Sequence, residues 1–428
     1  MDSFDAQATV PPTAGPDASW QKRKRARSYL LKPDYRTVSL PKIYGLSERE
    51  ATFQLAEFRW NLDGKQVCPA CGTIDQHYWS VKHLRWECRA KVCRKQFSVF
   101  SGTKLHGTKM LPTQVLSLVL SFVEAKDGLS AREASGREGR DHQTMHIFFL
   151  KLREALRQTL SSEPMLSGYV QADAAYFIKY VRPGNQGNGP AFKAKDDRKN
   201  AGLDEAAKAK NTTSENMHAL VVFVQTGPQG KRHYRVAVIK TENQVDLLML
   251  GQKFCTTDAV LMTDQHSGYN LFSGEFVGHL KVNHQLQFMD EDGTHTNFAE
   301  GFFARMRAAT WGAWHRTSVQ NLDEYGWEMA WRQTMVGSDN LTQLSDLFKR
   351  ICDSERSERY RDYWHKLPPE QRPQRDEVGS LREVSKNGIG KKRGRPVAGA
   401  VRPQTPTTPK RRGSQRYRAG PEITPPLA

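Results

Sequence analysis

The spacing of apolar residues changes its period several times along the chain. Residues 47–62 (SEREATFQLAEFRWNL) carry a helical period, and Ser47 followed by Glu50 is spaced as a capping box. Residues 66–100 then break into short runs rich in Tyr, Trp, Phe and Val that contain cysteines, a pattern of small β-ribbons. Helical spacing returns over 112–160. One run opens on Pro112 and stops at Gly128, a second begins at Ser130 with S-A-R-E as another capping box, and a third covers 142–160. Helix, tight glycine turn and helix is a helix-turn-helix signal, although a plain three-helix connector would read the same way.

Period-two runs follow. Residues 169–178 (YVQADAAYFI) predict a strand. Residues 182–216 are rich in Gly, Asn, Lys and Asp and predict a long loop. Strands at 218–226 and 233–240, joined by GPQGK, predict a hairpin. A helix at 242–254, strands at 259–263 and 279–284, and a helix at 297–309 complete the pattern. The order of these elements predicts a mixed α/β sheet.

Charge adds the first functional constraint. The 428 residues carry a net +18, which favours polyanionic partners and nucleic acid first among them. A near-neutral enzyme with basic tails would give the same total. From Arg372 onward, 14 Lys and Arg stand against 4 Asp and Glu, so this Pro- and Gly-rich tail holds +10 of the +18 and is expected to be disordered when free. Residues 1–20 are also expected to be disordered. Lys22–Arg25 reads as a nuclear-import signal, a phosphate-binding arm or a solvated charge run. No apolar run approaches the roughly 18 residues of a membrane span, and MDSFDAQATV lacks a signal-peptide pattern. Four of the six cysteines fall within 26 residues, which suits one metal site in an intracellular protein better than a disulfide framework.

Three groups of residues carry chemistry. Cys68 and Cys71, then Cys88 and Cys93, form two thiolate pairs able to give zinc four tetrahedral ligands, with Gly72 suited to the tight knuckle. His77 and His83 are substitute ligands should one cysteine fail. Among the acids, Asp173 lies mid-strand between apolar neighbours, Asp264 ends a strand, and Glu300 stands in the first turn of a helix. A carboxylate inside a strand is costly unless it is paired or holds a cation. Three converging carboxylates suit two Mg²⁺ ions, but the spacings of 91 and 36 residues select no triad by themselves. Lastly, Arg393-Gly394-Arg395-Pro396, after two lysines, can lie in a narrow A/T minor groove like an AT-hook or serve as a basic linker.

Together these stretches resemble a family. CPACG…RWECRAKVCRKQFSVFSGTKLHGTKM resembles the zinc ribbon of Merlin-type transposons and their bacterial insertion-sequence (ISXO2-like) relatives, and LPTQVL…KDGLSAREAS resembles the helical segment that follows it. QADAAYF, LMTDQHSGYN and HTNFAEGFFARMRAATWGAWHRTS resemble that family's three catalytic blocks, and NLDEYGWEMAWR its closing helix. The matches run in order from Cys68 to Arg332. Ala174 stands where relatives often carry an acid, and the second cysteine pair is wider than the common form.

The resemblance implies a ribonuclease H-like core with catalysis on Asp173, Asp264 and Glu300, served by two Mg²⁺ or Mn²⁺ ions, and a structural Zn²⁺ on the four cysteines. His284 and Asn297 then become positioning groups, and Arg307 a holder of DNA phosphate. The expected division is a basic arm (1–45), a zinc ribbon with its preceding helix (46–107), a helical DNA-binding segment (108–165), the catalytic domain (166–350), and a helical end running into the AT-hook tail (351–428). The expected function is a transposase that binds terminal inverted repeats, then cleaves and joins double-stranded DNA as a homodimer or higher oligomer. It would work at the nucleoid in a prokaryote or in the nucleus of a eukaryote. His266 and His284 could each place water or phosphate or play a purely structural role, and Trp311 and Trp314 could stack on bases, though core packing is the plainer role for both tryptophans. A non-catalytic zinc-ribbon DNA-binding regulator is the alternative, and the intact triad argues against it.

Overall fold

The computed structural model describes residues 32–178, 217–227, 230–282, 296–314, 317, 321–357 and 360. The 182–216 loop, Lys22–Arg25, His284 and Arg393–Pro396 lie outside the described residues.

The N-terminal part is built from a short helix α1 (Leu40–Tyr44), α2 (Glu48–Trp60) and five short strands, β1 (Gln66–Val67), β2 (Ile74–Asp75), β3 (Tyr78–Ser80), β4 (Arg85–Glu87) and β5 (Gln96–Phe97). β1 pairs with β2, and β3, β4 and β5 form an antiparallel ribbon. Both halves of the capping box at Ser47 are made.

Three helices follow, α3 (Pro112–Glu124), α4 (Ala131–Glu138) and α5 (His142–Ser161). Ser130 makes only half of its box: its hydroxyl accepts from Glu133 N–H, while the Glu133 carboxylate goes to Arg137. Gly128, with φ +91°, lies between α3 and α4 where the glycine stop was read, and Gly139, with φ +60°, ends α4 in the left-handed region before Asp141 caps α5. α3 is buried from Val115 to Val123 with little regard to helical face, as befits the central helix of this segment.

The sheet contains β6 (Tyr169–Ile178), β7 (Met217–Thr226) and β8 (Arg232–Ile239) as an antiparallel meander. After α6 (Gln244–Phe254), β9 (Val260–Asp264) joins the other side of β6, and a one-turn helix α7 (Phe272–Glu275) leads to β10 (Gly278–Val282). The order is β10-β9-β6-β7-β8, with β9 and β10 parallel to β6. Parallel pairing requires a crossover, and α6 provides it. Leu220–Phe223 of β7 are buried on both faces, so this central strand reads as an unbroken apolar run instead of an alternating one. This is a ribonuclease H-like core. Its remaining helices are α8 (Asn297–Trp311), α9 (Leu322–Thr334) and α10 (Asn340–Asp353).

The strands and helices expected of the sheet begin and end within about two residues of their predicted limits, whereas α3 ends at Glu124, short of the Gly128 stop. Three helices were not foreseen, the short α1 and α7 and the longer α10. In α10, Leu344, Leu347, Phe348 and Ile351 are all buried at helical spacing, and Asp339 caps it.

The helical segment is tied to the core through buried charge. Glu328 of α9 accepts from Arg153 of α5 and from Arg332 one turn along α9, and Arg153 also lies over the Tyr325 ring. Arg332 in turn donates at 2.7 Å to the Phe122 and Ala125 carbonyls, satisfying the end of α3. Removing Glu328 would leave two guanidiniums buried without their counter-ion. Glu328→Ala is therefore expected to cost about 3–5 kcal/mol in chemical denaturation; a loss below about 1 kcal/mol would contradict this account.

Candidate zinc site and acidic site

The ribbon brings its four cysteines together. Cys68 N–H donates to Thr73 O and Gly72 N–H to Cys68 O, folding the first knuckle, with Gly72 at φ +74° where a side chain would be strained. In the second, Cys88 N–H donates to Lys95 O and Cys93 N–H to Ala90 O, so the wider spacing still closes a turn. Cys68 Sγ lies 3.9 Å from Cys93 Sγ, and Cys71 Sγ 3.6 Å from Cys88 Sγ. All four sulfurs lie within 4.8 Å of one another. Zinc–sulfur bonds of about 2.3 Å in a tetrahedron require sulfur–sulfur edges of roughly 3.8 Å, so the donor set fits structural zinc in chemistry and size.

The thiols respond differently to their surroundings. Hydrogen bonds from the Thr73 hydroxyl and backbone pull Cys71 down to about 6, while burial pushes Cys88 up to about 12. A bound cation favours the thiolate at both positions. Neither histidine enters the set. His77 Nδ1 accepts from Arg89 N–H, which leaves Nε2–H to face Thr73 O at 3.2 Å, so His77 braces the backbone of both knuckles. His83 is exposed on the β3–β4 turn.

The acidic site follows from strand register. β6 and β9 pair Tyr169 with Val260, Val170 with Leu261 and Gln171 with Met262, a constant offset of 91 residues. Continued by two residues, that register sets Asp173 beside Asp264, and residues at one rank of neighbouring strands share a face. The spacing of 91 that was uninformative in sequence is the register itself.

Glu300 reaches the same place on α8. Gln171, two residues before Asp173 on the same face of β6 and 2% exposed, accepts from Phe298 N–H at 3.0 Å and Ala299 N–H at 3.3 Å. This side chain satisfies two free amides of the first turn of α8 and holds that turn against β6. A surface depression is lined by Asp173, Asn297, Glu300 and Arg307. Glu300 and Arg307 lie two turns apart on one helix face.

Burial pushes the Asp173 carboxyl up to about 7, and the charges of Asp264, Glu242 and Glu300 act in the same direction, against one hydrogen bond from Ala174 N–H. Asp264 accepts from His266 N–H at 3.1 Å. The carboxylates do not close as tightly as the thiols: among the described residues, only the four cysteines gather their ligand atoms into one compact group. Ligands shared between two ions about 3.5–4 Å apart need not. All-oxygen donors suit Mg²⁺ or Mn²⁺.

The two tryptophans part company. Trp314 is buried against Tyr325 at 4.7 Å, as expected of core packing, whereas Trp311 is 84% exposed at the end of α8, so for Trp311 the core role is wrong. Sequence reading passed over Gln171, Glu242 and the bracing role of His77. A buried amide in an apolar strand was the available signal for Gln171, because such a group needs partners.

Two outcomes are expected. Cys88→Ser should abolish bound zinc, measured by elemental analysis, and with it the near-UV dichroism of the Trp60, Trp79 and Trp86 cluster; zinc retained at full stoichiometry would refute the ligand set. In Mg²⁺-free buffer the raised Asp173 carboxyl supports folding below its unfolded value near 4, and this support is lost as pH rises through about 7. Asp173→Asn, which cannot ionise, should gain stability over the parent at pH 8 by an amount on the order of 1–3 kcal/mol larger than at pH 4. An equal effect at both pH values would contradict it.

Known families match both parts of this arrangement. A family model described as the transposase zinc-ribbon domain matches residues 46–96, and one described as the ISXO2-like transposase domain matches residues 165–334. Together they take in just over half of the 428 residues. No curated protein matches the chain. With the ribbon and the catalytic domain both present and in that order, the chain belongs to the zinc-ribbon, ISXO2-like DDE transposases.

Proposed function

We propose that this transposase is catalytically active: it binds the terminal inverted repeats of a mobile element, cuts the DNA there and joins the freed ends to a target. The observation that carries this reading is the shared rank of Asp173 and Asp264 on adjacent parallel strands, with Glu300 held alongside by the Gln171-capped helix. Divalent ions held by these three carboxylates would polarise the scissile phosphate and increase the acidity of the attacking hydroxyl group.

The protein's own groups do the rest. Arg307 and Asn297, on the rim of the same depression, are placed to hold a phosphate and orient it for in-line attack. In cleavage, water attacks phosphorus and the 3′-oxygen leaves. In joining, that 3′-hydroxyl attacks a target phosphodiester and a target 3′-oxygen leaves, so cleavage replaces an ester oxygen with one from water, joining replaces it with another ester oxygen, and neither needs a covalent enzyme intermediate.

DNA binding is assigned to the ribbon and the helices. A groove where they meet is lined by His106, Lys109, Arg140 and Lys151 over Met110 and Phe148, a basic rim suited to backbone phosphates. Lysine and arginine contacts there would give salt-sensitive affinity. Among the described residues no helix is long and apolar enough to cross a membrane. Joining requires both ends together, so the working form is a homodimer or larger complex on DNA, at the nucleoid or in the nucleus according to host.

The test is strand transfer in vitro, with Mg²⁺ and labelled DNA ending in the element's own repeats. The parent should cut and join the ends, while Asp264→Ala should bind them with similar affinity and lose both reactions by at least about a thousandfold. Equal binding with no cutting by the parent under Mg²⁺ or Mn²⁺ would overturn the catalytic reading in favour of a non-catalytic DNA-binding regulator.

A further inference from the structure

A fourth carboxylate reaches the same end of the sheet. Glu242 stands in the loop between β8 and α6. Its N–H donates to Tyr176 Oη at 3.3 Å, tethering it to β6 three residues beyond Asp173. Its Oε2 lies 3.7 Å from His266 Nδ1, and its side chain is 11% exposed. His266 N–H in turn donates to Asp264 Oδ1. Gln244 Nε2 donates to Ser267 O at 3.0 Å, fastening the start of α6 to the turn after β9. Gly268 makes that close approach possible, because a Cβ there would stand 3.1 Å from the Glu242 carbonyl oxygen and 2.8 Å from Leu247 Cδ1. Glu242 is thus fixed against both aspartate strands.

The charge around it is not balanced from within. Burial holds the Glu242 carboxyl above the usual range and Asp264 adds to this, with His266 opposing. Among the described residues no Lys or Arg pairs with Asp173, Glu242 or Asp264, and His266 is the one basic side chain within ion-pair reach.

A separate observation marks the same spot. Tyr269 is completely buried, and among the described residues its hydroxyl has no hydrogen-bond partner. The group that bears on it most, after burial itself, is Asp173, followed by Glu242 and Asp264. An orphaned hydroxyl costs about 1–3 kcal/mol, and the charges that act on this one are those of the three carboxylates.

We propose that Glu242 is a fourth acidic residue of the metal-holding cluster, adding its charge to those of Asp173, Asp264 and Glu300 when divalent cations bind. The inference rests on the metal reading of the acidic site. A simpler role, in which Glu242 only braces the His266 turn, predicts lost stability without lost metal affinity.

The experiment is calorimetric titration of Mn²⁺ into the full chain with zinc retained, for the parent, Glu242→Gln, Glu242→Asp and Asp264→Asn. Glu242→Gln keeps the shape and removes the charge. It should bind Mn²⁺ at least about tenfold more weakly and melt no lower than the parent without Mn²⁺. Glu242→Asp, which restores the charge, should fall between the two. Glu242→Gln within twofold of the parent, with Asp264→Asn clearly weakened, would overturn the role of Glu242 and leave the triad standing. If Glu242→Gln does not fold, an affinity for Glu242→Asp within twofold of Asp264→Asn would support the inference, and one within twofold of the parent would overturn it. Asp264→Asn with the parent's affinity would overturn the metal reading beneath both.

Discussion

Parallel pairing of β6 with β9 is the constraint on which the rest of the site depends. Its offset places Asp173 and Asp264, 91 residues apart in the chain, at one rank on neighbouring strands. A slip of one residue would turn one carboxylate to the opposite face and dissolve the site. The register is held by bulk burial on both sides of the sheet, above all by Leu220–Phe223, which lie buried in the adjoining strand. A buried sheet is an expensive place for ionised carboxylates, and the elevated Asp173 carboxyl is the sign of that expense. On the proposed metal-binding reading, stability is given up locally so that negative charge stands where cations would bind.

A second device carries the order from strand to helix. Gln171 takes two amide hydrogens at the start of α8, so the strand that holds Asp173 also fixes the turn that presents Glu300. The same α8 ends in an exposed Trp311, beyond Arg307, and so runs from the acids out to solvent. Glu328 then binds the catalytic core to the helices between it and the ribbon, through two guanidiniums buried with it. Such a link transmits position stiffly, because one buried carboxylate holds both guanidiniums at once. DNA seated on the helical segment would therefore be held in a defined place relative to the acids.

Much of this was legible from periodicity. The meander, α6, β9 and the helix of Glu300 all announced themselves by apolar spacing and turn residues, and Ser47 with Glu50 marked α2 to the residue. The four cysteines were legible as a cluster because knuckle geometry is local, with ligands close in sequence. The acids were not, because which strands pair is a non-local fact, and the offset has no trace in the sequence of either strand. Only resemblance to a family singled them out. Glu242 escaped notice since a glutamate just before a helix reads as an ordinary turn or first-turn acid, and Tyr269 because DQHSGYN reads as loop although its tyrosine is completely buried. α10 was within reach of the pattern, with Leu344, Leu347, Phe348 and Ile351 on one face, but lay past the last block that carried chemistry.

The central claim is that Asp173, Asp264 and Glu300 together hold divalent ions, and anomalous diffraction from crystals soaked in Mn²⁺ tests it most directly. The account predicts manganese peaks between these three carboxylates, with a pair separated by about 3.5–4 Å when DNA is present. Manganese seated elsewhere, or a site in which a lysine or arginine occupies the space between the acids, would contradict it.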